Sequence, residues 1–252
     1  METLFIGKNL IFLPEINSTN SYATNLLKNV KLAEGTVVHT AHQTQGKGQR
    51  GSLWIAEHNA NVTASVILNP SFLKVENQFF LYIISALACY DTITELLNNS
   101  QIDIKIKWPN DILLNQRKVS GILIENNIQN TQIVWSVIGV GINVNQEFFE
   151  SAFKATSLVL TDGKKRFAED VMKLFCIYLE KFYLMLKGNK TEELKNLYME
   201  RLFGLNKWMY FEINGNSETL LVKGISESGF ILLENKEGKT METDVKQVKW
   251  IY

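Results

Sequence analysis

The hydrophobic pattern of the chain changes character at Gly204, and this change limits the folds that the chain can adopt. Before Gly204, short β-branched segments alternate with long apolar helical segments at residues 75–98 and 167–187. After Gly204 there are only short strands, separated by turn signals at Asn214-Gly215, Ser228-Gly229 and Gly238. We therefore predict a mixed α/β domain over residues 1–204 and a small all-β barrel over residues 205–252.

Periodicity and capping signals place most elements of the first domain. Ser18 or Thr19 is expected to cap a short helix, because apolar residues recur on one helical face just after them. A further helix is predicted at residues 191–203. Strands are predicted at residues 3–16, 35–43, 61–68, 102–106, 111–115, 118–125 and 133–144, with a glycine-rich loop at 44–53 and a polar hairpin turn at 126–130.

The composition excludes several classes of protein. Lys plus Arg and Asp plus Glu are 26 each, and a general nucleic-acid binder would carry a basic excess to match the phosphates. Cys89 and Cys176 lie in apolar runs and cannot form a disulfide framework, which favours a reducing compartment. The longest uncharged apolar run, Phe79 to Ala88, is too short to cross a membrane. No basic region precedes an apolar one at the N-terminus. We therefore expect a soluble, cytoplasmic protein that binds neither nucleic acid nor membrane.

The segment Gly46-Lys47-Gly48-Gln49-Arg50-Gly51 matches the pattern G-x-G-x-x-G. A dinucleotide-binding fold would need a helix directly after this loop and an acidic residue about 20 positions later. Residues 52–68 instead predict a loop and then a strand, and residues 71–73 are not acidic. Lys47 and Arg50 beside exposed backbone N–H groups suit phosphate oxygens, although an ordinary flexible turn would give the same glycines.

Two further clusters have the residue types of a binding site. Lys107-Trp108-Pro109-Asn110-Asp111 combines a cation, an aromatic face, an amide and a carboxylate, and Lys118 follows, with Gly121 three residues later. Gly139-Val140-Gly141-Ile142-Asn143 places two glycines in an otherwise apolar strand. Each cluster alone is also explained by a turn, a snorkelling lysine or a bulge. Together they predict a site for an anionic, partly planar small molecule. His39, His42 and His58 are expected to be structural or exposed, since no third metal ligand accompanies them.

These motifs, in this order, resemble those of the biotin protein ligases, the biotin–[acetyl-CoA-carboxylase] ligases. The resemblance covers nearly the whole chain and rests on Asn17-Ser18-Thr19-Asn20, Gln43, the loop Gly46–Gly51, Trp54, Lys107-Trp108-Pro109-Asn110-Asp111, Lys118-Val119-Ser120-Gly121-Ile122-Leu123-Ile124-Glu125 and Gly139-Val140-Gly141-Ile142-Asn143. The resemblance implies an α+β fold, with a mixed-sheet catalytic domain related to class II aminoacyl-tRNA synthetases and a C-terminal SH3-like barrel.

The resemblance also implies an activity and a set of site residues. Such enzymes convert biotin and ATP, with Mg²⁺, to biotinyl-5′-AMP and then transfer biotin to one lysine of a biotin carboxyl carrier protein. By matching position, the biotin-binding residues would be Ser18, Thr19, Asn20, Gln43, Gly46, Lys47, Gly48, Trp54, Lys118 and Gly121. The ATP or adenylate side would use Gln49, Arg50, Gly51, Lys107, Asn110, Asp111 and Asn143. The catalytic residues would be Lys118, Arg50 and Asp111. Magnesium would enter with ATP rather than in a protein cage, and the enzyme would be a monomer or a homodimer.

The chain departs from the family pattern in two ways. The family loop commonly has the sequence Gly-Arg-Gly-Arg-Arg-Gly, whereas here Lys47 and Gln49 replace the first two arginines. A lysine is a point charge and a glutamine is neutral, so we expect a weaker hold on the adenylate, with more of it left to Arg50. The first strand also starts close to Met1, which leaves no room for a DNA-binding module. We therefore expect the type that is a ligase only.

Three alternatives remain at this level. A lipoate or octanoate ligase shares the fold but needs a long apolar tunnel, and the octanoyl-transfer type needs a reactive cysteine. A non-catalytic biotin sensor would keep the biotin residues and lose Lys107, Asn110 or Asp111, all of which are present. A nucleic-acid regulator is disfavoured by the net charge.

Overall fold

The computed structural model describes residues 2–150, 154–213 and 215–252. The helices are α1 (Thr19–Asn29), α2 (Phe79–Leu97), α3 (Leu158–Asp162), α4 (Ala168–Lys187) and α5 (Thr191–Glu200). The strands of the first part of the chain are β1 (Leu10–Ile16), β2 (Val37–Gln43), β3 (Gly46–Lys47), β4 (Leu53–Trp54), β5 (Val62–Leu68), β6 (Ile104–Lys107), β7 (Asp111–Leu114), β8 (Arg117–Gln129) and β9 (Gln132–Ile142). The remaining strands are β10 (Trp208–Ile213), β11 (Asn216–Ile225), β12 (Ile231–Glu234), β13 (Thr240–Thr243) and β14 (Val248–Ile251).

Seven of the strands form one mixed sheet in the order β1-β2-β5-β9-β8-β7-β6. The β1–β2 pair is parallel, since α1 crosses between the two strands, and the other neighbours are antiparallel. The helices pack on both faces. Adjacent residues such as Val37 and Val38 enter separate cores because side chains alternate along a strand. Ala23 of α1 packs on one face, and α2 and α4 fill the larger core on the other.

Helix α2 is apolar around most of its circumference because it lies inside this larger core. The stretch Val75–Leu97 is long and apolar enough to span a bilayer. The uncharged run from Phe79 to Ala88 is shorter, so a stretch of this length was not predicted from the sequence. Of an 18-residue apolar part of the stretch Val75–Leu97, 61% is buried inside the protein, and α2 packs against α4 and α5. Helix α2 is therefore a buried helix of the protein core.

Five strands after Gly204 form a separate antiparallel sheet in the order β13-β12-β11-β10-β14. This sheet packs against the first part of the chain: the indole N–H of Trp108 donates to the carbonyl of Gly229 at 2.8 Å, and the rings of Phe203 and Trp250 lie 5.6 Å apart. The mixed α+β fold with a second, all-β sheet is as predicted. Within the described residues no ladder joins β13 to β14, so closure into an SH3-like barrel stays a prediction, as does the boundary between residues 204 and 205.

The structure also corrects several predicted bounds. The strand predicted at residues 3–16 begins only at Leu10, because the buried Glu180 carboxylate accepts the backbone N–H groups of residues 4–6 at 2.6–2.9 Å and holds this segment away from the sheet. Helix α3 was not predicted, since five residues are too few to show helical periodicity. Helix α5 ends at Glu200 rather than residue 203. Strand β8 continues to Gln129, and the turn signal at Asn214 falls outside the described residues.

Candidate functional site

A row of small residues crosses four strands of the large sheet and forms the floor of a pocket. Thr63 on β5 pairs with Gly141 on β9, Gly141 pairs with Gly121 on β8, and Gly121 pairs with Asp111 on β7. A β-carbon on Gly141 would lie 2.3 Å from the indole of Trp54. These glycines therefore keep the floor low enough for a flat group to lie on the sheet, as the sequence predicted.

The N-terminus of α1 forms one wall of this pocket with a buried polar network. Ser18 caps the helix, as predicted, by accepting from the backbone N–H of Ser21. The Gln43 side-chain oxygen accepts from the Thr19 N–H at 2.7 Å and from its hydroxyl at 3.0 Å. The Ser65 hydroxyl lies 2.8 Å from the Thr19 hydroxyl and 2.6 Å from the Asn20 side-chain oxygen. These interactions fix the orientation of the Gln43 amide at the pocket.

Asn20 fastens this network to the centre of the sheet. Its amide donates to the Glu125 carboxylate at 2.9 Å, and its oxygen would lie 2.3 Å from a β-carbon on Gly139. Asn20, Thr19 and Ser18 are each no more than 4% exposed. Asn20 therefore forms part of the pocket wall, and Gly139 makes room for its side chain because glycine has no β-carbon.

The glycine loop is a short hairpin that covers the pocket. Strands β3 and β4 pair Gly46 with Trp54 and Lys47 with Leu53, and a 3-10 turn joins them. At the tip, Arg50 (φ 56°) and Gly51 (φ 76°) adopt left-handed backbone conformations, and both residues are exposed. We call residues 46–54 the flap. The helix that a dinucleotide fold would need is absent, because the chain continues into β4 and then β5.

The Trp54 indole lies on the glycine floor underneath this flap. It contacts Gly121 and Gly141 closely, and the Lys118 ammonium lies 5.7 Å from its ring centroid. The indole nitrogen is buried and has no hydrogen-bond partner within the described part of the chain. A ligand that rests on the same glycines must therefore displace the indole, since both cannot occupy this space.

A side chain of α2 lies close to the middle of the flap. Burial raises the pKa of the Tyr82 hydroxyl, and the nearby Gln49 side chain opposes this rise. The glutamine that replaces an arginine of the family loop therefore lies close to the body of the domain.

Two lysines meet one carboxylate where the floor ends. The Lys118 ammonium lies 2.7 Å from Asp111, and the Lys107 ammonium lies 3.7 Å from its other oxygen. The register of β7 against β8 shifts here, because Ile112 pairs with Ser120 while Leu113 pairs with Lys118, which leaves Val119 as an extra residue. This bulge aims the Lys118 side chain over Gly121. The local charge is positive, since two cations share one anion.

A large open cleft continues from the pocket toward the second sheet. Its walls are the flap, the turn between β6 and β7, the end of β9 and the strand β14 with the following Tyr252. The Tyr252 ring lies 5.1 Å from the ammonium of Lys107 and 5.1 Å from that of Lys154. Burial raises the pKa of Tyr252, and the charge of Asp111 raises it further, against the effect of Lys118.

The structure brings the predicted site residues together around these two spaces. The smaller pocket is lined by Ser18, Thr19, Asn20, Gln43, Lys47, Gly48, Gln49, Trp54, Asn110, Lys118 and Gly121 among the predicted residues. The cleft is lined by Gln49, Arg50, Trp54, Lys107, Asn110, Asp111, Lys118 and Asn143. Of the predicted set, Gly46 and Gly51 line neither space: Gly46 backs the Gln43 side chain, and Gly51 provides the turn at the tip of the flap.

Three predicted polar or aromatic side chains have structural contacts as well. Asn110 donates to the Ile122 carbonyl at 2.8 Å, and Asn143 donates to the Thr156 carbonyl at 3.0 Å. Trp108 is only 3% exposed, so its face is not an open platform for a ligand. Its role is to join the second sheet to the turn that carries Lys107 and Asp111.

Sequence reasoning missed four residues of the site. Thr63 lines the floor and Ser65 supports the polar wall through Thr19 and Asn20, and polar residues within the buried strand β5 were the available signal. Lys154 and Tyr252 carry no local signal, because their position depends on long-range packing. Among the residues that the structure describes, no group of three or more His, Cys, Asp or Glu side chains is arranged to hold a metal ion.

Comparisons with known proteins agree with this architecture. The model of the biotin/lipoate A/B protein ligase family matches residues 12–143. The "Bifunctional ligase/repressor BirA" of Bacillus subtilis is 31% identical over 242 residues, which cover 94% of this chain and 73% of that protein. The "Biotin--[acetyl-CoA-carboxylase] ligase" of Paracoccus denitrificans is 26% identical over 232 residues, 90% of this chain and 95% of that protein. The biotin protein ligase from Aquifex aeolicus in complex with biotin and ATP matches with a TM-score of 0.80 and 27% identity, over 96% of this chain and 98% of that one.

Proposed function

Because the chain belongs to the biotin/lipoate A/B protein ligase family, we propose that it activates biotin with ATP and transfers it to a lysine of a biotin carboxyl carrier protein. The observation that carries the proposal is the position of Lys118. This lysine lines both the closed pocket and the open cleft, and Asp111 holds its ammonium group in place. A cation at this junction is what the reaction between two anions requires.

In the first step, biotin occupies the pocket and ATP occupies the cleft. The polar wall at Thr19 and Gln43 suits the ureido ring of biotin, and the glycine floor suits its flat bicyclic face. The carboxylate of biotin then points toward Lys118. A carboxylate oxygen attacks the α-phosphorus of ATP, the bond between that phosphorus and the bridging oxygen to the β-phosphate breaks, and pyrophosphate leaves. The Lys118 and Lys107 ammonium groups stabilise the charge that gathers on the phosphate oxygens.

The flap protects the product of this step. Biotinyl-5′-AMP is a mixed anhydride, which water hydrolyses. The hairpin at residues 46–54 covers the pocket, and Arg50 at its exposed tip lines the cleft where the phosphates of ATP would lie. Left-handed backbone conformations at Arg50 and Gly51 let this tip bend over the ligand.

In the second step, the amine of the acceptor lysine attacks the acyl carbon of biotinyl-5′-AMP. The new amide bond forms, the bond to the phosphate oxygen breaks, and AMP leaves. The amine must lose a proton, and Asp111 is the carboxylate that lines the cleft beside Lys118. Asp111 either accepts this proton or orients the amine for attack.

The structure favours biotin over lipoate or octanoate. The end of the pocket is a hydrogen-bonding wall of Thr19 and Gln43, supported from behind by Ser65, rather than an apolar tunnel. Cys89 and Cys176 are fully buried, and burial raises the pKa of each thiol to about 12, so neither suits a covalent acyl intermediate. A non-catalytic sensor is less consistent with Lys107, Asn110 and Asp111 all lining the cleft.

The direct test is transfer of biotin to a purified carrier domain. The protein is incubated with Mg²⁺, ATP and biotin, and the mass of the carrier is measured; lipoate and octanoate are tested in parallel. We expect a single biotinyl adduct that requires ATP and disappears when the acceptor lysine of the carrier is replaced by arginine. Modification by lipoate or octanoate in preference to biotin, or no modification at all, would contradict the proposal.

A further inference from the structure

Tyr252 occupies the cleft and faces the first domain rather than its own sheet. Two ammonium groups from separate elements lie over its ring, that of Lys107 at the end of β6 and that of Lys154 in the segment beside Lys118. Both distances to the ring centroid are 5.1 Å. Phe203 supports the ring, with its centroid 5.3 Å away. One aromatic ring therefore contacts two cations.

An aromatic ring holds a cation in a different way from a carboxylate. The π face attracts an ammonium group through its quadrupole, so the lysine loses rotamer freedom and keeps its full charge. Asp111 also restrains Lys107, at 3.7 Å, but it neutralises part of that charge. Lys154 has no carboxylate within ion-pair distance among the described residues, and the ring is its restraint. Both lysines are thus ordered and still available to an anion.

The place of these lysines indicates which anion they receive. Lys107 and Lys154 line the cleft with Arg50 and Lys118, on the side away from the closed pocket. The backbone ties them to the reaction centre, since the Lys118 N–H donates to the Lys154 carbonyl at 2.7 Å. The phosphates of a nucleotide bound in the cleft would lie along this line of cations.

We propose that Tyr252 is a positioning residue for ATP, whose ring holds the ammonium groups of Lys107 and Lys154 against the phosphate chain. The proposal rests on the function proposed above and adds a role for the second sheet, because β14 carries Tyr252 into the cleft. The ring is the active part, and the hydroxyl group is not required.

The test compares the variants Tyr252→Ala and Tyr252→Phe with Tyr210→Ala as the control. Tyr210 lies on β10, the neighbour of β14, and is 63% exposed. The assay is biotin-dependent ATP–pyrophosphate exchange, which gives the KM for ATP and for biotin, with biotin affinity measured separately by calorimetry. We expect Tyr252→Ala to raise the KM for ATP about 5- to 30-fold, or about 1–2 kcal/mol, and to change biotin affinity less than twofold. Tyr252→Phe restores the lower KM, and Tyr210→Ala matches the wild type.

A double-mutant cycle separates positioning from general damage. If Tyr252 acts through Lys154, the effects of Tyr252→Ala and Lys154→Ala on the KM for ATP are less than additive. An unchanged KM for ATP in Tyr252→Ala, an equal loss of biotin affinity, or a Phe variant as poor as the Ala variant would each overturn the proposal. If the wild-type protein itself shows no biotin-dependent exchange, the proposed function fails instead, so the two failures are distinguishable.

Discussion

Replacement of Lys118 by alanine should remove most of the first half-reaction. Among the residues that the structure describes, Lys118 is the only one with a cationic side chain that lines both the pocket and the cleft. A unit charge about 4 Å from each reacting oxygen contributes about 4 kcal/mol at an effective dielectric constant near 20. Its side chain is 35% exposed, so screening lowers this to about 3 kcal/mol. That energy corresponds to a loss of about two orders of magnitude in rate.

The assay is biotin-dependent exchange of labelled pyrophosphate into ATP at saturating biotin and ATP. Lys105→Ala is the matched control, since Lys105 lies on β6, two residues before Lys107, and lines neither the pocket nor the cleft. Circular dichroism should show that both variants remain folded. If Lys118→Ala exchanges pyrophosphate within tenfold of the wild type, the role assigned to this ammonium group is wrong.

Three further predictions concern the flap and the buried thiols. Saturating biotin should change the tryptophan fluorescence, because it displaces the Trp54 indole from Gly121 and Gly141; persistence of the full change in Trp54→Phe would contradict this. Gln49→Arg should slow the release of biotinyl-5′-AMP, measured by rapid filtration, because an arginine can bind phosphate through two hydrogen bonds; equal release rates would contradict it. Cys89 and Cys176 should not react with a thiol reagent at pH 8 in the native protein, because burial raises the pKa of each thiol to about 12 and keeps it neutral. Both cysteines should react once the protein is unfolded in denaturant. Labelling of either cysteine in the native protein would contradict the packing.

The sequence predicts well those elements that have a local signal. The cap at Ser18, the buried strand β5 and the apolar helix α2 appear where their periodicity placed them. Residues 3–9 were wrongly assigned to a strand. The backbone N–H groups of residues 4–6 bind Glu180, which is more than 170 residues away, and no local pattern reveals such a contact.

The residues of the site also differ in whether a local sequence signal predicts them. The three motif clusters around Lys47, Lys107 and Gly141 converge on one pocket and one cleft, as their glycines, cations and amides predicted. Ser65 was missed although a serine in a buried strand is a visible signal. Tyr252 is different, because only the packing of the second sheet against the first domain brings its ring to Lys107. Long-range packing of this kind has no counterpart in the local sequence.

The central claim concerns where biotin lies relative to the flap and Lys118, and a crystal structure with bound biotin tests it most directly. We expect the bicyclic ring on Gly121 and Gly141, beneath the flap and beside Gln43, with the Trp54 indole moved. The carboxylate should lie within about 4 Å of the Lys118 ammonium group. Biotin bound elsewhere, or with its carboxylate turned away from Lys118, would contradict the account.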